Sequence, residues 1–255
     1  MTSSLKLETR DGVLIMTLDR PQARNAIDFE LAKEIAAAVD ELDSRDDLRL
    51  GILTGAGGTF CAGMDLKSFL AGKPRAIVAG RGFGGLTEAP PRKTLIAAIE
   101  GFALAGGFEL ALSCDLLVAS REAKFGLPEV KRGLVAAAGG LVRLPRRLPF
   151  HIAMELALTG DMITAERAHS YGLINRLVDA GGALDAALEL AKSITANGPL
   201  AVAVSKRVIV ESADWASSEM FAKQGAITAP VFASADAREG AAAFAEKRPP
   251  KWTGK

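Results

Sequence analysis

Cysteine, histidine, tyrosine and tryptophan are all scarce in this chain of 255 residues, and the scarcity removes whole classes of function. The two cysteines, Cys61 and Cys114, show no CxxC spacing. Neither a disulfide framework nor a zinc site is expected from that count, and a reducing compartment is the expectation. The two histidines, His151 and His169, are isolated, and no HExxH, GxSxG or Walker loop occurs. Charge of one sign is not in excess. The formal net charge is +1, so no global field recruits nucleic acid or an anionic membrane, and any anion site must be a local basic cluster. A long uninterrupted apolar run is also missing: residues 95–118 are broken by Glu100, Glu109 and Asp115 and fail as a membrane span. The stretch MTSSLKLETRDG lacks the apolar centre of a signal peptide, which points to the cytoplasm.

What is present is ample apolar material, 49% of residues, enough to build one large domain or a domain with an appendage. Residues 5–9 and 13–18 read as strands joined at Asp11-Gly12, and Asp28 is placed to cap a helix with Phe29, Ala32, Ile35, Val39 and Leu42 on one face. Residues 48–53 read as a buried strand, 64–69 as a helix, and 72–91, with several Gly and Pro and little periodicity, as a mobile cover or loop. Strand 94–99, helix 106–113, strand 115–119 and a short extended piece at 124–125 then alternate, the pattern of an α/β core. Residues 182–196, 200–212, 215–228 and 236–247 are helical in pattern and form a C-terminal appendage.

The segment 96–140 carries the chemistry. Gly106-Gly107 stands just before Glu109 at a helix start, where the first N–H groups have no intrahelical partner and glycine lets a ligand approach closely. The loop 57–66 is a second loop-to-helix transition of the same design, with the Met64 N–H as donor and Asp65 as cap. Glu129 follows Pro128 in a rigid turn. Each element has a bland alternative: helix packing for the glycines, an ordinary left-handed turn at Gly63, helix-start charges for the glutamates. Together they supply two backbone donors for an oxyanion and two carboxyl groups for proton transfer beside a carbonyl. The Gly55-Ala56-Gly57 run does not complete a dinucleotide fingerprint, because Phe60 stands where a small residue is needed.

In this order the residues resemble the enoyl-CoA hydratase/isomerase family, the crotonase superfamily, over nearly the whole chain. Arg20-Pro21 and Arg24-Asn25-Ala26 match its opening motif, and residues 60–66 its first oxyanion loop. Residues 96–140 match the second half of its site, and 159–161 through 173–175 a later signature. Glu239-Gly240, Ala243-Phe244 and Glu246-Lys247-Arg248 match its ending. The resemblance implies an α/β fold, a ClpP-like crotonase spiral of β-β-α units. It places the acyl-CoA site in a core of residues 1–195 and a helical trimerisation region at 196–255, giving homotrimers or pairs of trimers. It implies an enoyl-CoA hydratase with Glu109 and Glu129 as the catalytic pair, Met64 and Gly106 as oxyanion donors, and Arg24, Ala26, Ala62, Asp65, Leu66, Lys67 and Ala137 around the CoA ester, Lys247 or Arg248 adding charge for its phosphates. Ala137 takes the place of a glycine whose N–H helps hold the water. Coenzyme A enters as part of the substrate, and no metal or further cofactor, nucleic acid or membrane is expected. Residues 133–140 are also similar to the carnitinyl-CoA dehydratase branch. Isomerisation of an enoyl-CoA, and a non-catalytic CoA-binding scaffold, are the remaining alternatives.

Overall fold

The computed structural model describes residues 3–255, so Met1 and Thr2 of the N-terminal stretch lie outside it. Strands β1 (Leu5–Arg10) and β2 (Val13–Leu18) pair antiparallel, turning through Asp11 and Gly12, both with positive φ. β2 then opens a parallel series with β3 (Leu50–Gly55), β6 (Thr94–Ile99), β8 (Leu116–Ser120) and β11 (Arg176–Val178), so the main sheet runs β1-β2-β3-β6-β8-β11. β1 is an edge strand and buries only Leu5, whereas β6 is buried throughout, as a central parallel strand must be.

The two faces of the sheet follow from the period of two along each strand. Val13, Ile15, Leu50, Ile52, Ile96, Ala98 and Val118 point to one side, where helix α7 (Ala183–Thr195) lays Ala183, Ala187 and Ala191 against them. Leu14, Met16, Leu18, Leu53, Ala97 and Ile99 face the larger core. There α1 (Phe29–Ser44) packs Leu31, Ile35, Val39 and Leu42, its N-terminus capped by the Asp28 side chain accepting from the Leu31 N–H.

Between successive strands of the main sheet the chain makes short strands of a second layer. β7 (Phe102–Leu104) pairs parallel with β9 (Lys124–Gly126), and β10 (Met162–Thr164) pairs antiparallel with β9. A single bridge between Cys61 and Ala103 adds the previous turn of chain to the same layer. Helix α3 (Gly106–Ser113) starts directly after β7. Strand, short strand, helix is thus one turn of a spiral, and the loop that leads into α2 (Leu66–Leu70) comes against the start of α3 at Gly63.

The stretch 72–91 differs from a mobile cover. It holds a small hairpin, β4 (Ile77–Val78) with β5 (Gly82–Phe83), and buries Ala76, Phe83 and Leu86 in the main core. Helices α4 (Gly140–Arg143), α5 (Phe150–Thr159) and α6 (Ala165–Ser170) follow the site segment. At the C-terminal end, α8 (Pro199–Ser212) and α9 (Met220–Phe232) bury no residue, and α10 (Ala235–Glu246) buries only Asp236 and Ala243. α9 begins at Met220, later than its apolar pattern suggests. Lys206 fastens this layer to the core: its Nζ donates to the carbonyls of Pro91 and Lys93 and pairs with Asp115 at 2.7 Å. Among the described residues no helix is long and apolar enough to cross a membrane.

Candidate active site

Arg20 and Asn25 organise the first wall. Asn25 is fully buried with φ +55; its amide donates to the carbonyls of Ala56 and Thr59, and its Oδ1 accepts from the Arg20 N–H. The Arg20 guanidinium bridges two helix caps, Asp28 at 3.2 Å and Asp65 at 2.9 Å, and donates to the Ala26 carbonyl. Asp65 in turn accepts from the Lys67 and Ser68 N–H groups. This network fixes the 61–65 loop, which main-chain bonds stitch to Phe102, Leu104 and Ile27.

The second loop is set by close approach. A side chain at Gly107 would overlap the Cys61 carbonyl, and one at Gly106 would overlap the Phe83 ring, so only glycine lets α3 start here. Ala105 caps the helix with φ +52 and ψ −130, an unusual backbone for a residue with a Cβ, and its N–H is held by the Gly126 carbonyl at 2.9 Å. A Cβ at Gly63 would lie 3.1 Å from the Gly106 nitrogen, which measures how closely the two loops meet. Neither the Met64 nor the Gly106 N–H has an acceptor among the described residues.

Both loops line a cavity of about 510 Å³. Its far side is the one-turn 3₁₀ helix Pro128–Arg132 and the following loop to Ala138, with Phe69, Ile77, Phe83 and Glu88 closing it from α2 and the 72–91 segment. Glu109 and Glu129 both border it and live in different environments. Glu109 is 3% exposed, and its Oε1 accepts from the Ala138 N–H at 2.7 Å and the Gly140 N–H at 2.9 Å. Burial raises its pKa, while those two donors and the Arg143 charge oppose the rise. Glu129 has a buried Oε2 with no partner. Burial, helped by the nearby Glu109 charge, pushes its carboxyl up to about 7. Burial thus lifts both carboxyls, Glu109 against two N–H donors and a cation, and Glu129 as far as neutrality.

A model of the enoyl-CoA hydratase/isomerase family matches residues 8–255. The chain belongs to that family. The crystal structure of enoyl-CoA hydratase EchA1 from Mycobacterium marinum superposes with a TM-score of 0.97, at 59% identity over 99% of both chains. Enoyl-CoA hydratase EchA19 of Mycobacterium tuberculosis is 44% identical over 96% of this chain and 95% of that protein. The carnitinyl-CoA dehydratase of Proteus mirabilis is 43% identical over the full length of both. The fold is accordingly that of the crotonase superfamily, as the ordered motifs imply.

Of the residues singled out from the sequence, Arg24, Ala62, Met64, Leu66, Gly106, Glu109, Glu129 and Ala137 line the cavity. Ala26, Asp65 and Lys67 do not line it: Ala26 is buried beside Arg20, Asp65 is engaged as a cap, and Lys67 is exposed on α2. Arg248 is held by Glu239 and Glu246. The Ala138 and Gly140 amides that grip Glu109 escaped the sequence reading, since a backbone donor leaves no side-chain signature; the Gly139-Gly140 pair was its one trace. Phe83, Glu88, Arg75 and Arg132 also border the cavity without a motif to announce them.

Proposed function

We propose that the protein is an enoyl-CoA hydratase, adding water reversibly to a trans-2-enoyl-CoA to give the 3-hydroxyacyl-CoA. The observation that carries this reading is the meeting, around one cavity, of two acceptor-free amides with two glutamates, one held by two N–H donors and one with a buried, unpartnered oxygen. The thioester oxygen accepts from the Met64 and Gly106 N–H groups, which draws electron density from the β-carbon. Water between the carboxyls attacks that carbon as Glu109 takes one of its protons. The π electrons move into the enolate held by the amides, and Glu129 delivers a proton to the α-carbon. Each amide contributes on the order of 3 kcal/mol to the transition state, because it is aimed at charge that develops only there. Arg24 at the cavity and Lys67 on α2 supply positive charge for the CoA phosphates, and Ala26, Ala62, Asp65, Leu66 and Ala137 shape the walls around the ester. The acyl-CoA thioester is the only small molecule the reaction requires besides water.

Residues 1–195 form the catalytic core and residues 196–255 join copies of the chain, as trimers or pairs of trimers in the cytoplasm. The exposure of Ile209, Phe221, Phe232 and Phe244 on the C-terminal helices supports that division. Light scattering at micromolar protein tests it, and a monomer would refute it.

A second reading has its own support. Glu88 borders the cavity as a third carboxyl, which would suit an acyl group bearing a trimethylammonium, and relatives are named carnitinyl-CoA dehydratase. An ultraviolet assay with crotonyl-CoA, longer and branched 2-enoyl-CoAs, a 3-enoyl-CoA and carnitinyl-CoA decides among these. Loss of the conjugated absorbance of simple 2-enoyl-CoAs supports hydration; turnover of carnitinyl-CoA alone, or of the 3-enoyl ester alone, would replace it.

A further inference from the structure

We infer that Arg143 is a positioning residue for Glu109, keeping that carboxyl ionised through the 138–140 turn; the inference rests on the hydratase reading above. Arg143 closes α4, and its N–H donates to the Gly139 carbonyl at 2.9 Å. The side chain folds back over the start of its own helix. A Cβ on Gly139, which has φ +103, would overlap the guanidinium Nη1, so glycine makes the space that the guanidinium fills. Nη2 donates at 2.6 Å to the Thr87 carbonyl of the cover. The neighbouring residue of the same turn, Gly140, lies on the other partner: its Cβ would stand 3.1 Å from both Cγ and Oε1 of Glu109, and its N–H holds that oxygen. A half-buried cation and a buried carboxyl thus flank consecutive residues of one short turn.

Arg143 has no carboxylate within ion-pair distance among the described residues, so its field is not spent on a closer anion. Glu109 and Arg143 each feel the other's charge, in the direction that favours both ions. The remaining charged groups near Glu109 are Glu129 and Arg132 from the 3₁₀ turn, and Glu88, Arg75 and Arg24 around the cavity. The Glu109 charge raises Glu129, and the Arg132 charge acts on Glu129 against that rise. Arg143 is thus the charged member of the set that favours the Glu109 anion, added to the Gly140 and Ala138 N–H groups, and it tips the pair toward one base and one acid.

The test is kcat/KM against pH for hydration by wild type, Arg143→Gln and Arg143→Lys, with acyl-CoA binding and melting temperature measured alongside. Removing the charge should move the acidic limb up by about one pH unit, a tenfold loss at the acidic end that shrinks toward the plateau. Arg143→Lys should fall between, since it keeps the charge but not the fork that spans Gly139 and Thr87. Should Arg143→Gln not fold, the Lys enzyme alone carries the test with the same sign. A loss equal at every pH, with the limb unmoved, would mean that Arg143 only bolts the cover to the turn, and the inference fails while the hydratase reading stands. A wild type inert toward every enoyl-CoA overturns both.

Discussion

Residues 61–64 and 102–109 form one wall of the cavity and residues 128–138 the other; no residue of the first is exposed, whereas most of the second are. The first wall is main chain held by main chain, packed so closely that Gly106 and Gly107 have no room for a methyl group. The second presents Val130, Leu134 and Val135 to solvent and anchors itself inward chiefly through the buried Ala136 and the Ala138 amide. Electrostatic stabilisation of a fixed oxygen needs donors that do not reorganise. Accommodating acyl groups of differing shape needs a wall whose side chains can change without disturbing the core. On the proposed reading the two walls divide these demands.

The contrast is broken most severely at the carboxyls, one presented by each wall. Glu109→Gln and Glu129→Gln should each lower kcat by about 10²- to 10⁴-fold, the usual weight of a general acid or base, with acyl-CoA binding little changed. Single-turnover kinetics with a calorimetric Kd check this; equal losses in kcat and binding would point to a collapsed pocket instead.

Gly107→Ala probes how hard the first wall is. Helix propensity alone favours alanine by about 1 kcal/mol. The collision with the Cys61 carbonyl acts against it, and backbone cannot rotate aside as a side chain can. A net destabilisation of about 3 kcal/mol in urea unfolding is expected; a neutral or stabilising result would show the wall to be soft.

A subtler effect appears in stability against pH. Glu129 is pushed up to about 7 in the fold, so the native state keeps its proton longer than the unfolded chain does. Its favourable contribution is complete below the usual carboxylate range and is lost as pH rises through about 7. Wild type should therefore lose melting temperature over that window relative to Glu129→Gln, the gap widening with pH and then levelling off. A gap independent of pH would place the carboxyl in an ordinary solvated environment.

The smallest change is expected on the second wall. Val135→Ala, at a side chain 61% exposed, should leave unfolding free energy within about 0.5 kcal/mol while altering the ranking of acyl-CoAs by KM. A large stability loss there would erase the distinction between the walls.

How much of this could be read in advance depended on what carried the signal. Side chains with local partners were legible: the Asp11-Gly12 turn, the Asp28 cap and the face of α1 follow from neighbours a few residues away. The α3 start and its glutamate were legible too, because Gly106-Gly107 and Glu109 sit within one helical turn. The 72–91 segment read as mobile because Ala76, Phe83 and Leu86 obey neither period; their burial is decided by α3 and α1, remote in sequence. The grip of Ala138 and Gly140 on Glu109 was illegible for a different reason, since any residue but proline has an N–H, and only the fold says where it points.

The positive-φ backbone at Ala105 bears on how the molecule breathes. A backbone there costs roughly 1–3 kcal/mol, and the Gly126 carbonyl is the clasp that keeps it from relaxing. With Gly106 as the proposed oxyanion donor, fraying of the short β7–β9 pair is expected to let that torsion relax and carry the Gly106 amide away from its target. That reading ties catalytic readiness to the three paired positions of β7 and β9, so proton–deuterium exchange at Ala105 should keep time with the loss of a competent site rather than with global unfolding.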